Sequence, residues 1–342
     1  MTDLALDARG LGYRYGAVVA VDHADIAVPR GALVALLGPS GCGKTTTLRL
    51  IAGLDTGEGT IDIDGVRVSG GRHAVAPEAR GVGLVFQDSV LFPHLDIGAN
   101  VAYGLRGPAK NRDAGQMLEL LGIAHLARRM PHEVSGGEQQ RAALARTLAP
   151  RPSLVLLDEP FAHLDASLRE QVRDEMLRAI ARTGTSALLV THDQAEALAI
   201  ADRIVVMNRG RIHQHGTPEE VYRHPVDRFT ASFVGRSTLI PAKMTGPGEA
   251  RSAFGDLCVD MDTPPGERLA VLRPESVRIA EGDAGVAGRV VRTSFRGADR
   301  AVRVELTDGT VVETTDAGER RVGDHIRLIV HGVVATVPVD GR

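Results

Sequence analysis

The sequence has few cysteines, and the two that it contains, Cys42 and Cys258, lie far apart in the chain. Two cysteines cannot build a disulfide framework, so the sequence predicts a protein of a reducing compartment. The N-terminal residues show neither the basic flank nor the apolar run of a signal peptide. We therefore expect a cytosolic protein.

Long hydrophobic runs are also missing. The most apolar stretches, such as Ala32–Leu37 and Leu154–Leu157, are far shorter than the roughly 20 residues that cross a bilayer. Any link to a membrane is therefore expected to come through a partner. The formal net charge is only −3, which does not favour a non-specific nucleic-acid binder.

The length of 342 residues favours two domains. The first two thirds alternate aliphatic runs with helical periodicity, which is typical of an α/β domain with a buried parallel sheet. The predicted buried strands are Ala32–Leu37, Val82–Phe86, Leu154–Leu157 and Ala187–Val190. The predicted helices are Lys44–Ala52, Gly136–Leu148, Ala166–Arg182 and Gln194–Ala199.

A change in pattern near Gly235 divides the chain. We assign residues 1–235 to the α/β domain, with a helical subdomain at about residues 88–150. Residues 236–342 contain short β-rich segments such as Arg268–Leu272, Gly288–Phe295 and Ala301–Leu306, separated by Gly, Pro and Asp turns. They predict a small all-β barrel.

One segment, Gly38–Thr45, fits the phosphate-loop pattern G-x-x-x-x-G-K-[ST] and stands between a predicted strand and a predicted helix. Its glycines let backbone N–H groups approach phosphates, and Lys44, one of only three lysines in the chain, would reach the β and γ phosphates. Thr45 would offer its hydroxyl to Mg²⁺. The alternative is a glycine-rich turn that binds nothing.

An aliphatic strand, Leu154–Leu157, ends in the adjacent carboxylates Asp158 and Glu159. Asp158 can hold Mg²⁺, and Glu159 can orient or deprotonate an attacking water. The alternative is a strand that enters a polar loop. A third segment, Val134–Arg141, opens a helix with Ser135 as N-cap and two exposed glycines, which suggests a second anion site or an ordinary capped helix.

Taken together, these segments resemble the ATP-binding subunit of ATP-binding-cassette (ABC) transporters over about residues 4–235. The resemblance implies that Gln87 senses Mg²⁺ and the γ phosphate, that His192 contacts the γ phosphate, and that Asp165 lies at a dimer interface. It also implies that Tyr15 stacks on adenine, with Tyr13 as a competing candidate. The nucleotide-binding residues would be Tyr15, Gly38, Pro39, Ser40, Gly41, Cys42, Gly43, Lys44, Thr45, Thr46, Gln87, Asp158 and Asp165, with Ser135, Gly136, Gly137 and Glu138 acting on the ATP of a partner subunit. The catalytic residues would be Lys44, Gln87, Glu159 and His192, and the Mg²⁺ ligands Thr45, Gln87 and Asp158.

Two positions depart from the family's usual Leu-Ser-Gly-Gly-Gln signature, namely Val134 and Glu138. The valine is a tolerable apolar exchange, but Glu138 places a carboxylate near a nucleotide. We expect activity to be retained.

The family resemblance further implies a homodimer of ATP-binding subunits that binds two membrane permease subunits and, through them, a solute-binding protein. Such a subunit would lie on the cytoplasmic face of the inner membrane. The exposed apolar residues Val90, Leu91 and Phe92 would receive a helix of the permease, unless they belong to the subdomain's own core. No nucleic-acid partner is expected, because the basic run from Arg289 to Arg303 lacks interleaved aromatics beyond Phe295.

The C-terminal segment Val271–Arg278 resembles the TOBE domain of bacterial importer ATPases. The segments Gly81–Asp88, Pro131–Glu133 and Ser294–Gly297 most resemble those of ferric-iron importer ATPases. Importers of polyamine, sulfate and phosphonate stay open as alternatives. A soluble ABC protein of translation or DNA repair would usually show tandem cassettes or a long coiled coil. A small-molecule kinase would need neither the Ser135–Gly137 segment nor His192.

Overall fold

The structure, a computed structural model, describes residues 3–86, 91–162 and 166–339. The contacts within the chain divide it into two compact units, Met1–Thr217 and Pro218–Arg342. This boundary lies earlier in the chain than the one that we expected after residue 235. The segment 218–235, which we assigned to the α/β domain, therefore groups with the second unit.

Two sheets and six α-helices are described in the first unit. The strands are β1 Leu4–Tyr15, β2 Val18–Pro29, β3 Leu33–Leu37, β4 Glu58–Ile63, β5 Val66–Gly70, β6 His73–Ala74, β7 Val82–Val85, β8 Leu154–Asp158, β9 Ser186–Thr191, β10 Arg203–Asn208 and β11 Arg211–Gly216. The helices are α1 Lys44–Ala52, α2 Ile97–Ala102, α3 Lys110–Leu120, α4 Gly136–Leu148, α5 Ala166–Thr183 and α6 Gln194–Ile200.

The six-stranded sheet of this unit has the order β11-β10-β3-β9-β8-β7. Its strands are parallel except for the edge strand β11. Every residue of β3, β8 and β9 is buried, as the continuous aliphatic runs predict for strands that are covered on both faces. The predicted α/β class is confirmed for this unit.

The second sheet, in the order β2-β1-β4-β5-β6, is antiparallel. Its apolar residues, among them Leu6, Ile26 and Ile61, share one core with Leu36 and Leu156 of the parallel sheet. The helical part of the unit, predicted at about residues 88–150, contains α2, α3 and α4 among its described residues.

Helix α1 begins and ends at glycines whose backbone is left-handed, Gly43 at φ 110° and Gly53 at φ 83°. The buried guanidinium of Arg80 donates to the carbonyls of Leu50 and Ile51 at 3.0 and 2.9 Å, and so satisfies the last turn of the helix. A Cβ at Gly53 would lie 2.4 Å from Arg80 Nε. The helix therefore has defined bounds at both ends.

The second unit begins with two short helices and continues as antiparallel sheet. The helices are α7 Pro218–Arg223 and α8 Arg228–Phe233, and the strands are β12 Thr238–Gly246, β13 Glu249–Ser252, β14 Gly255–Cys258, β15 Glu267–Leu272, β16 Val277–Ile279, β17 Val286–Phe295, β18 Arg300–Leu306, β19 Val311–Asp316, β20 His325–Val330 and β21 Ala335–Pro338.

These ten strands form two five-stranded antiparallel sheets, β14-β13-β12-β15-β21 and β16-β20-β17-β18-β19. Residues of both sheets, such as Ile240, Leu272, Val302 and Leu328, share one apolar core. The edge strands β16 and β19 of the second sheet approach each other, and the Thr314 hydroxyl donates to the Val277 carbonyl. The predicted small barrel-like β domain is thereby confirmed. Within the part of the chain that the structure describes, no helix combines the length and apolarity needed to cross a bilayer.

Candidate active site

The carboxyl ends of three neighbouring parallel strands bring the predicted catalytic segments to one edge of the sheet. In the register of these strands Leu37 of β3 pairs with Thr191 of β9, and Asp158 of β8 pairs with Val190. The loop after β3, Glu159 after β8 and His192 after β9 therefore leave the sheet at the same level. This is the usual position of ligands in open α/β sheets.

The predicted phosphate loop connects β3 to α1 and is held by close backbone contacts. A Cβ at Gly38 would lie 2.2 Å from the Met207 carbonyl oxygen, and one at Gly43 would lie 2.2 Å from the Ala20 carbonyl oxygen. The Gly210 N–H donates to the carbonyl of Cys42 at 2.8 Å. The first and last glycines of the motif are thus required by the protein's own backbone as well as by a ligand.

Within the loop, Lys44 is only 5% exposed. Its ammonium donates to the carbonyls of Gly38 and Pro39 at 2.8 and 3.1 Å, so the positive charge stays over the loop. Ser40 and Gly41 are exposed at the tip, whereas Cys42 is buried. Burial raises the pKa of the Cys42 thiol, which keeps it uncharged at neutral pH.

Thr45 and Asp158, predicted to share Mg²⁺, lie together. The Thr45 hydroxyl donates to Asp158 Oδ1 at 3.3 Å, while the neighbouring Thr46 is buried in the first turn of α1. Burial raises the pKa of Asp158, with the charge of Glu159 adding to the effect and the bond from Thr45 opposing it. A buried carboxylate beside a hydroxyl is an oxygen donor set of the kind that Mg²⁺ prefers.

Glu159 and His192 are in direct contact across the ends of β8 and β9. His192 Nδ1 lies 2.9 Å from Glu159 Oε2, and the Glu159 N–H donates to the Val190 carbonyl at 2.9 Å. The backbone of Glu159 is left-handed, with φ 44°, which is uncommon for a residue with a side chain. The backbone is therefore locally strained at Glu159, the residue that we predicted to act on water.

The two tyrosines that compete for adenine have different surroundings. Tyr13 is partly buried against the core of the unit, whereas Tyr15 is 53% exposed. Their rings meet edge to face with centroids 4.9 Å apart, so Tyr13 supports the ring of Tyr15. This arrangement favours Tyr15 as the residue with a face available for a base.

Helix α4 begins at the predicted second anion site with Ser135 as its N-cap. Glu138 Oε2 accepts the Ser135 N–H at 2.7 Å and the Ser135 hydroxyl at 2.8 Å. These bonds lower the pKa of Glu138, with the backbone bond contributing most. The spacing Ser-x-x-Glu is that of a capping box, a signal that our sequence analysis overlooked when it treated Glu138 only as a replaced glutamine.

No hydrogen bond of the described residues joins Ser135, Gly136, Gly137 or Glu138 to the phosphate loop of the same chain. Two further predicted residues, Gln87 and Asp165, lie outside the described residues, as does Val90.

The expectation that Leu91 is exposed for a partner helix is wrong. Leu91 is 7% exposed, because it packs into the interior of the unit. Phe92 is partly buried and lies against Tyr103, with ring centroids 4.4 Å apart. Among the described residues of this region, the exposed large apolar side chains are Phe86 and Tyr103.

Two segments of the chain match known families. Residues 21–162 match the ABC transporter family, and residues 270–333 match the TOBE domain. An Fe(3+) ions import ATP-binding protein of Rhodococcus jostii (strain RHA1) is 41% identical over 341 residues, which cover 98% of this chain and 95% of that relative. The chain belongs to the ABC transporter family.

The names of relatives in this family specify different solutes. The Fe(3+) ions import ATP-binding protein of Streptomyces avermitilis is 44% identical and matches 89% of each chain. A sulfate/thiosulfate import ATP-binding protein of Chromobacterium violaceum is also 44% identical, over 87% of this chain and 83% of that relative.

Solved ABC structures confirm the cassette fold. A protein from Clostridium perfringens that is part of an ABC transporter complex has a TM-score of 0.59 and 28% identity, covering 64% of this chain and 90% of that chain. A dimeric ATP-binding cassette in a post-hydrolysis state, bound to ADP and Pi, has a TM-score of 0.55 and 28% identity, covering 62% of this chain and 98% of that chain. The predicted family and fold class are confirmed.

Proposed function

We propose that this ABC protein is the ATP-hydrolysing subunit of an importer that takes up ferric iron. The observation that carries the proposal is the meeting of Lys44, Thr45, Asp158, Glu159 and His192 at one edge of the parallel sheet. Relatives named as import ATP-binding proteins match nearly the whole chain, which supports the transport role. Sulfate import is the second candidate, supported by the relative with that name.

ATP fits the geometry of this edge. The loop Gly38–Thr45 places backbone N–H groups and the Lys44 ammonium where the β and γ phosphates would lie, at the N-terminus of the nine-residue helix α1. Tyr15 offers an exposed ring to the adenine. Thr45 and Asp158 would hold Mg²⁺, because their oxygens are adjacent and a cation would offset the cost of burying the carboxylate. When bound, Mg²⁺ would neutralise charge that develops on the phosphates.

Catalysis then depends on positioning by this chain's own residues. Glu159 would accept a proton from the attacking water, or orient that water, through its carboxylate at the strand end. His192, in contact with Glu159 Oε2, would hold that carboxylate and reach the γ phosphate. Lys44 would balance negative charge on the transferred group.

A second copy of the chain would complete each site. Ser135, Gly136 and Gly137 form a helix N-terminus that makes no described hydrogen bond to the phosphate loop of its own chain, so this helix end could face the ATP of a partner. Gln87 and Asp165 keep their proposed roles as γ-phosphate sensor and interface residue. ATP would close the dimer, and hydrolysis would reopen it. The closing dimer would act on two permease subunits at the cytoplasmic face of the inner membrane.

Replacing the proposed base tests the reaction. Glu159→Gln should retain ATP binding but lower turnover by about 100-fold or more, because the amide cannot accept a proton. It should also accumulate as an ATP-bound dimer, measured by size-exclusion chromatography with ATP. The control is Glu119→Gln, an exposed residue of α3, which should match the wild type. Near wild-type turnover by Glu159→Gln would refute the assignment.

The cargo is tested by uptake in the native cell. In a strain whose chain carries Lys44→Ala, uptake of labelled ferric iron should fall to the level of a deletion, while uptake of labelled sulfate should not change. Loss of sulfate uptake with normal iron uptake would replace iron by sulfate as the cargo. Loss of neither would contradict both candidates.

A further inference from the structure

The turn that carries His192 is closed by three hydrogen bonds. Glu196 Oε2 accepts the Thr191 hydroxyl at 2.5 Å, and Thr191 Oγ1 in turn accepts the Asp193 N–H at 3.0 Å. Asp193, the N-cap of α6, accepts the Glu196 N–H at 3.1 Å. The ring Thr191–Asp193–Glu196 therefore fixes the backbone on both sides of His192.

This arrangement differs from an ordinary capping box, in which the glutamate at the third helical position bonds directly to the N–H of the cap. Ser135 and Glu138 at α4 form such a direct box. At α6 the glutamate instead reaches Thr191, and the threonine hydroxyl serves the cap N–H. Thr191, the last residue of β9, therefore takes part in these hydrogen bonds, which connect the start of α6 to the end of β9.

The position of His192 depends on the hydrogen bonds among Thr191, Asp193 and Glu196, because its own side chain is weakly held. The imidazole is 55% exposed, and its described contact is the one to Glu159 Oε2 at 2.9 Å. Thr191, by contrast, is 3% exposed and is paired with Leu37 of β3 in the sheet. A small change in the backbone direction at Thr191 or Asp193 would move the imidazole away from Glu159.

The Glu196 side chain lies where a carboxylate is costly. It lines a cavity of about 90 Å³ together with Glu159 and His192. Its Oε1 atom is buried and has no hydrogen-bond partner among the described residues. Burial raises the pKa of Glu196, whereas the hydrogen bonds from Ser135 lower the pKa of Glu138. A cap that served stability alone would favour the arrangement at Glu138.

We propose that Glu196 is a positioning residue for ATP hydrolysis, which acts through Thr191 and Asp193 to hold His192 against Glu159. The inference rests on the function proposed above, since it gives His192 a role at the γ phosphate. Glu196 touches neither ATP nor the attacking water in this scheme. Its loss should therefore slow the chemical step without weakening ATP binding.

The test measures steady-state hydrolysis by the full chain as a function of ATP concentration. Glu196→Ala should lower kcat at least about tenfold, since small misplacements of catalytic groups have large effects, and should leave KM within about twofold. Glu196→Gln keeps an oxygen for the Thr191 hydroxyl and should restore most of kcat. Thr191→Val, which keeps the shape of the side chain, should reproduce the loss, and Thr191→Ser should not.

The two losses should not add, because both substitutions break the same hydrogen bond between Thr191 and Glu196. Glu196→Ala combined with Thr191→Val should lower kcat no further than either substitution alone. The control is Asp227→Ala, which removes a similar N-cap from α8 in the other unit, where Asp227 accepts the Thr230 N–H at 2.7 Å. It should lower the melting temperature but not kcat.

Several outcomes would overturn the inference. These are wild-type kcat in Glu196→Ala or Thr191→Val, a fall in kcat of Glu196→Gln as large as that of Glu196→Ala, or a rise in KM in place of the fall in kcat. If Glu196→Ala does not fold, the Thr191 pair decides by the same criteria. A wild-type chain that binds but never hydrolyses ATP would refute the proposed function, and this inference with it.

Discussion

At the scale of single residues, Glu138 occupies hydrogen-bond donors that the proposed function assigns to a nucleotide. Its Oε2 accepts both the N–H and the hydroxyl of Ser135, the groups that we propose for the γ phosphate of a partner's ATP. The lowered pKa keeps Glu138 ionised at neutral pH. In the proposed function, the ATP of a partner would therefore have to displace this carboxylate before the dimer closes.

Removing this charge should ease closure. In a Glu159→Gln background, Glu138→Gln should lower the ATP concentration for half-maximal dimerisation by about 3- to 10-fold, because a charge-assisted hydrogen bond is replaced by a neutral one. Glutamine still fits a capping box, so α4 should keep its stability. Dimerisation is followed by light scattering during an ATP titration.

The matched control for this change is Glu133→Gln. Glu133 Oε2 accepts the Met130 N–H at 2.7 Å in the turn just before α4, so it makes the same kind of bond without engaging Ser135. It should leave the midpoint of the titration unchanged. Equal midpoints for Glu138→Gln and its parent would show that the carboxylate does not compete with ATP.

At the scale of secondary structure, the elements with local signals could be predicted from the sequence. Helices α1 and α4 have the predicted bounds, Lys44–Ala52 and Gly136–Leu148; glycines flank α1, and a serine caps the start of α4. Buried strands such as β8 were found within one residue, since a parallel sheet requires continuous aliphatic runs. These patterns act over a few residues and can be read without the fold.

Features that depend on distant contacts could not be predicted in this way. The burial of Leu91 is decided by packing within its unit. The sequence alone does not distinguish an exposed apolar residue in a loop from a buried one. The contact of Glu159 with His192 follows from strand order, which places β8 beside β9. The spacing Asp193-x-x-Glu196 is that of a capping box, but the hydrogen bond between Thr191 and Glu196 depends on where β9 ends.

At the scale of the whole molecule, the C-terminal unit owes its extent to one buried arginine. Arg273 donates to the carbonyls of Tyr222, Val234 and Arg236 at 2.7 to 3.1 Å. Its guanidinium also lies 4.0 Å from the centre of the Tyr222 ring. These bonds join α7 and α8 to the end of β15, which explains why the segment 218–235 groups with the second unit.

Two compact units with separate cores are expected to unfold in two transitions. ATP should raise the temperature of only the first unit's transition, because a ligand stabilises the part that binds it.

The ionisation of Tyr222 should in the same way identify the transition of the second unit. Burial, reinforced by the hydrogen bond to Glu275, raises the pKa of Tyr222 to about 12.

The direction of the resulting pH dependence follows from proton binding. In the unfolded chain Tyr222 has the ordinary tyrosine pKa of 10, and in the folded chain its pKa is about 12. Between these two pH values the unfolded chain has lost the Tyr222 proton and the folded chain still holds it. The folded state then binds more protons, so stability falls as pH rises across this window and levels off above it. The transition of the second unit should therefore move to lower temperature between pH 10 and 12.

Calorimetry of the wild type and Tyr222→Phe checks this prediction. At pH 8 the variant should be less stable by about 1 kcal/mol, because it lacks the hydroxyl that donates to Glu275 Oε1 at 2.8 Å. Between pH 10 and 12 the difference should shrink, since phenylalanine has no proton to lose. The transition that ATP raises should show no such convergence. Parallel curves for the two proteins would mean that Tyr222 ionises equally in both states, and that burial and Glu275 do not hold the phenol in its neutral form.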